Sequence, residues 1–140
     1  MSKVAIVFWS ATGNTETMAN CIAEGAGANG TIVPCAEMTP AKLAEFDVVA
    51  FGCPAMGAEQ LEESEFEPMF AALEGSLNGK KIALFGSYGW GDGQWMRDWA
   101  QRAQDDGAQL FSEEGLICNE TPDDDVQDAC RKLGADLAAW

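Results

Sequence analysis

A chain of 140 residues with 47% apolar content is long enough for one core and too short for two catalytic domains, so a single domain over residues 1–140 is expected. Its 23 acids against 8 bases give a net charge of −15, which excludes the basic patches that nucleic acid and anionic lipid require. Five scattered cysteines (Cys21, Cys35, Cys53, Cys118, Cys130), with no histidine and no C-x-x-C pair, exclude the usual zinc and iron–sulfur ligand sets.

The N-terminus runs straight into an apolar segment, without the basic region and apolar core of a signal peptide. No apolar run approaches the ~20 residues of a membrane span. Together with isolated cysteines, this leads to an expected cytoplasmic location. The first apolar run, about residues 3–8, reads as a strand buried on both faces. It ends in Ser10-Ala11-Thr12-Gly13-Asn14-Thr15, a turn with three hydroxyls, an amide and a glycine but no Lys or Arg. A strand feeding such a turn into a helix start is a phosphate cradle, because backbone amides and the helix dipole favour an anion there. The alternative is a plain capped turn with Asn14 or Thr12 as N-cap. A nucleotide P-loop is excluded, since that motif needs a lysine.

Helix 14–26 follows, with Met18, Cys21 and Ile22 at helical spacing and Gly25 and Gly27 at its end. A strand at 31–35, a helix at 41–45 and a strand at 47–52 come next, leading into Cys53-Pro54-Ala55-Met56-Gly57-Ala58-Glu59. Residues 54–65 have weak periodicity. A helix at 66–75 and a strand at 81–86 precede Gly86-Ser87-Tyr88-Gly89-Trp90-Gly91-Asp92. Helix 94–105 carries a stripe of Trp95, Met96, Trp99 and Ala103, and 109–118 reads as the last strand. Thr121-Pro122-Asp123 opens a helix at 124–138 with acids in its first turn, where the dipole favours them. This alternation is α/β: a parallel sheet covered by helices on both faces, with right-handed crossovers.

Three segments, each just after a strand-like run, resemble the short-chain flavodoxins: Ser10–Thr15, Cys53–Glu59 with the acid-rich stretch to Pro68, and Gly86–Met96. The resemblance extends over essentially the whole chain. It implies a flavodoxin-like doubly wound sheet of five strands in the order 2-1-3-4-5, flavodoxin itself being the type example of that order and of ligands at its switch point. The turn at 10–15 and the loop at 54–60 fall at that edge.

The resemblance further implies noncovalent FMN, with its phosphate on Ser10, Thr12, Asn14, Thr15 and the loop amides, including those of Ala11 and Gly13. The ring then lies between the loops at 56–60 and 88–92, and Pro54, Ala55, Gly89, Gly91 and Asp92 are also expected to bind the cofactor. Trp90, a loop tryptophan between two glycines, is poorly explained as core and suits stacking, which contributes about 0.5–1.5 kcal/mol beyond burial. Met56 is the family's partner on the other face, although a loop Met serves packing equally well. Tyr88 fits either role, and Trp9, Trp95 and Trp99 suit core or shielding. Cys53 reads as a strand-end packing residue.

Gly57 allows a peptide to flip through positive φ and offer a carbonyl to flavin N5 on one-electron reduction. In the family this is the Met56–Gly57 peptide. At Ala58 the family is expected to carry a small polar residue, so any contact from that side chain is lost. Glu59 is the candidate acceptor for the ring N3–H. Ser87 and Asn119 are candidates for the ribityl hydroxyls, with an N-cap or turn role competing for Asn119. Acids crowd the second motif, and at ~10 Å in water each opposes a reduced-flavin anion by about 0.4 kcal/mol, on the order of 20 mV.

The implied function is a low-potential one-electron shuttle cycling between semiquinone and hydroquinone. It is a monomeric carrier and not an enzyme, serving redox enzymes with basic docking faces (ferredoxin-type donors and acceptors). Glu62, Glu63, Glu65, Glu67, Asp92 and Glu120 are the expected docking acids. The alternative is an FMN-dependent quinone or nitro reductase of related fold, which would need a pocket over the ring. A phospho-acceptor receiver domain shares the strand order, but Ser10 and Cys53 stand where it needs acids.

Overall fold

The computed structural model describes residues 1–57 and 59–140; expectations for Ala58 lie outside the described residues. Apolar runs become parallel strands β1 (Val4–Phe8), β2 (Gly30–Ile32), β3 (Val48–Gly52) and β4 (Lys81–Tyr88). The fifth position is shared by β5 (Gln109–Leu110) and β6 (Leu116–Asn119), both parallel to β4. Strand order is β2-β1-β3-β4-β5, with β6 also on β4, in agreement with the expected order.

Side chains alternate across the sheet as the strand pleat requires. Val4, Ile6, Val48, Ala50 and Phe85 pack under helices α1 (Asn14–Ala26) and α5 (Asp124–Ala139). Ala5, Val7, Val49, Phe51 and Leu84 face α3 (Phe66–Leu73) and α4 (Gln94–Asp105), and the short α2 (Pro40–Leu43) adds Leu43 to that layer. Trp95 and Trp99 are buried there, as their helical stripe implied, and Cys53 is buried beside them.

Boundaries moved for physical reasons. The expected strand at 109–118 is broken, because Ser112, Glu113 and Glu114 would be buried in a sheet covered on both faces. The strand expected at 31–35 stops at Ile32. Val33 still donates to Ile6 O at 2.9 Å, but Pro34 has no N–H to continue. Helix α2 starts early, at Pro40, under a Thr39 cap that accepts the Lys42 amide at 3.2 Å. Strand β4 runs two residues beyond the expected end and takes in Ser87 and Tyr88.

Candidate functional site

The loops after β1, β3, β4 and β6 gather at the carboxyl edge of the sheet, where open α/β folds bind ligands. They enclose a cleft of about 410 Å³ lined by Ser10, Ala11, Thr12, Asn14 and Thr15 from the first loop, Pro54, Ala55 and Met56 from the second, and Ser87, Tyr88 and Gly89 from the third. Eleven expected site residues are thus brought together. Another cavity, of about 390 Å³, lies at the break in the fifth strand beside Leu110, Leu116 and Leu133. It shares no lining residue with the cleft.

At the first loop neither Asn14 nor Thr12 caps α1. Gly13 holds the N-cap position at φ 96°, with no side-chain hydrogen bond. That left-handed backbone is open to glycine and strained for other residues. The Ser10 hydroxyl accepts the Gly13 and Glu16 amides at 3.1 and 3.3 Å. Among the described residues the amides of Thr12, Asn14 and Thr15 meet no protein acceptor. A helix start with open donors beside a hydroxyl-lined wall of the cleft fits a phosphate ester. The Thr15 hydroxyl is itself committed: it lies 3.1 Å from Ser87 Oγ and accepts the Ser87 amide at 3.3 Å.

The second loop closes on itself. Met56 and Gln60 exchange both backbone hydrogen bonds, Met56 N–H to Gln60 O at 2.8 Å and Gln60 N–H to Met56 O at 3.0 Å. The Met56–Gly57 carbonyl is therefore already held by Gln60, and turning that peptide would break this bond. No donor among the described residues reaches the carbonyl of Gly57, whose φ is +50°. Glu59, also at positive φ, does not line the main cleft; it faces an adjoining pocket of about 190 Å³ with Trp95 and Arg102. Its Oε1 is buried against Gly91 and has no donor among the described residues. A ring N–H could satisfy that oxygen.

Trp90 does not line the cleft; its indole stands 70% exposed in the neighbouring loop. Asp92 is turned outward to Arg97, whose guanidinium meets its carboxylate at 3.0 Å. Asn119 does not cap a helix: Asp123 caps α5, and Asn119 Nδ2 donates to Tyr88 O at 3.4 Å. Its neighbours Glu120 and Thr121 line the cleft instead. Glu120 enters through a positive φ of 59° and donates its amide to Tyr88 O at 2.7 Å. Sequence reasoning placed Glu120 only on the rim, and nothing in its residue type announces that backbone.

Besides Asp92, two more of the expected docking acids are engaged elsewhere. Glu62 is buried, and its carboxylate accepts the Ser64 amide and hydroxyl and the Glu65 and Phe66 amides, closing the start of α3. Burial alone would raise its pKa, but these hydrogen bonds outweigh burial and hold it at about 2. Glu67 and Glu74 both clamp Arg102, at distances of 2.7–3.0 Å.

The chain matches the family model described as Flavodoxin over residues 6–133. It is 48% identical to a flavodoxin from Megasphaera elsdenii over 134 residues, covering 94% of this chain and 95% of the relative. A flavodoxin from Clostridium beijerinckii is 46% identical over 136 residues, with 95% and 97% covered. The solution structure of two-electron reduced Megasphaera elsdenii flavodoxin superposes with a TM-score of 0.84 at 44% identity, covering 98% of this chain and 99% of that one.

Proposed function

This chain belongs to the flavodoxin family, and from that premise we propose how its own residues hold the cofactor and meet redox partners. It is an FMN-binding electron carrier and not an enzyme; bound flavin supplies the one-electron chemistry. The reductase alternative is not favoured by relatives named as flavodoxins.

The observation that carries the residue assignment is the set of open amides of Thr12, Asn14 and Thr15 at the start of α1, beside the cleft. Ser10, Thr12, Asn14 and the open amides of Thr12, Asn14 and Thr15 hold the phosphate with uncharged donors. Thr15 contributes through its amide, since its hydroxyl is bonded to Ser87. Ser87 and Asn119 remain near the ribityl chain, with Glu120 and Thr121 added as wall residues. Met56 and Tyr88 border the ring on the cleft side, and Trp90 covers it from the exposed loop, excluding water. Glu59 supports the ring by accepting its N–H. Gly57 is the position whose own carbonyl can turn toward N5, because the Met56 carbonyl is occupied.

No basic residue lines the cleft among the described residues, while Glu120 does. Added negative charge on the flavin is opposed there, which favours low potential. With Glu62 and Glu67 committed to structure and Asp92 paired to Arg97, the docking face is carried by Glu63, Glu65 and Glu120. It suits basic faces of ferredoxin-type donors and acceptors, met by a cytoplasmic monomer formed by residues 1–140 as one domain. No described helix is long and apolar enough to cross a membrane.

Calorimetric titration of the apoprotein with FMN and with riboflavin tests the phosphate cradle. Charge-assisted hydrogen bonds contribute about 1.5–3 kcal/mol each, so riboflavin is expected to bind roughly a hundredfold or more weakly. Equal affinities would overturn the assignment.

A further inference from the structure

We propose that Cys53 and Trp95 are positioning residues: with the Glu62 amide they form a buried root from which both ring-facing loops hang, and they set flavin affinity and potential without touching the flavin. The inference rests on reading the 54–60 loop as one wall of the FMN site.

Cys53 follows β3 and is fully buried. Its amide donates to Phe85 O at 3.1 Å and its carbonyl accepts from Trp95 Nε1 at 3.2 Å. Its thiol donates to Pro54 O at 3.5 Å and accepts the Glu62 amide at 3.4 Å. A sulfur that gives and receives together must keep its proton, and burial pushes this thiol up to about 12. The thiol thus joins the first residue of the loop to its far end. That far end is fused to α3, because the Glu62 carboxylate holds the Glu65 and Phe66 amides.

Trp95 brings the other loop to the same point. It is the second residue of α4, the helix that the Tyr88–Asp92 loop enters. The segment beneath is shaped to admit this bond. A Cβ at Gly86 would collide with the Cys53 carbonyl oxygen and lie 3.3 Å from the Trp95 ring. Filling volume would need only bulk at 53 and 95. Four directed hydrogen bonds converge on Cys53 instead, and each fixes an angle that Met56, Gly57 and Glu59 inherit.

Trp95→Phe keeps an aromatic ring and removes the donor; Cys53→Ala removes the thiol, and Cys53→Ser restores a group that gives and receives. FMN affinity, the two one-electron midpoint potentials and urea stability of the apoprotein are measured for each. Loss of one such hydrogen bond is expected to weaken FMN about two- to tenfold. The gap between the two potentials should narrow in Trp95→Phe and Cys53→Ala, and Cys53→Ser should recover most of both effects. Lower apoprotein stability with unchanged affinity and potentials would overturn the proposal. Should a variant fail to fold, hydrogen exchange at the Glu62 amide of the wild type decides: FMN should slow it at least several-fold, and no change overturns the proposal. Wild-type protein that takes no FMN would sink the flavin reading itself. Wild type that binds FMN beside indifferent variants would sink only this inference.

Discussion

The Thr15 hydroxyl, at the start of α1, stands 3.1 Å from the Ser87 hydroxyl near the end of β4 and accepts the Ser87 amide, linking residues 72 apart in sequence. Both side chains are buried, so the phosphate turn is tied to the sheet by polar groups that water cannot replace. Thr15→Val keeps the shape and strands the Ser87 amide. Urea unfolding of the apoprotein should show a loss of about 1–3 kcal/mol. FMN affinity should fall with it. Unchanged stability would show that Ser87 finds another partner.

Two carboxyls of opposite behaviour give a pH signature. Burial, reinforced by Glu74 beside it, raises Asp106 from 3.8 to about 6. Its Oδ2 has no donor among the described residues unless one of the two acids carries a proton. The folded state binds that proton more tightly, so the contribution is full below about 3.8 and lost as pH rises through 6. Glu62, held at about 2 against 4.5, contributes above 4.5 and loses that contribution as pH falls through 2. Between pH 4 and 7, wild-type thermal stability should fall with pH more steeply than that of Asp106→Asn. Parallel curves would refute the shared proton.

Much of this was legible in the sequence because period and punctuation agreed. Helices α1 and α4 span the expected 14–26 and 94–105, and Gly27 stands at the end of α1 as its residue type implied. The hydroxyl turn pointed to the cleft before any coordinate. Hidden from sequence were the effects of three-dimensional neighbours. Glu62 looked like one more surface acid, yet four donors around it make it a helix-capping group. Asp92 resembled a site residue until Arg97, one turn into α4, claimed it. Glu120 reaches the cleft only through a backbone conformation its residue type does not favour.

Gly57 sits at φ +50°, and among the described residues a Cβ there would meet only Gln60 Nε2, at an ordinary contact distance of 3.9 Å. The cost of Gly57→Thr is therefore conformational, about 1–2 kcal/mol for left-handed backbone. The variant should fold and bind FMN, but photoreduction should yield less of the long-wavelength one-electron form. An equal yield would remove Gly57 from that step.

Trp90 is the large exposed aromatic nearest the cleft loops. Trp90→Ala removes stacking worth about 0.5–1.5 kcal/mol beyond burial and so should weaken FMN at least two- to tenfold. Water admitted to the ring should raise the potential of the second electron. Unchanged affinity and potential would leave Trp90 a surface residue.

Stepwise dithionite reduction of the FMN-loaded wild type, followed by absorbance, bears most directly on an uncharged phosphate cradle beneath an acid-lined ring site. Two resolved one-electron steps, the second at low potential, are the predicted result. Apoprotein that takes up no FMN, or a single two-electron step without a long-wavelength band, would contradict the account.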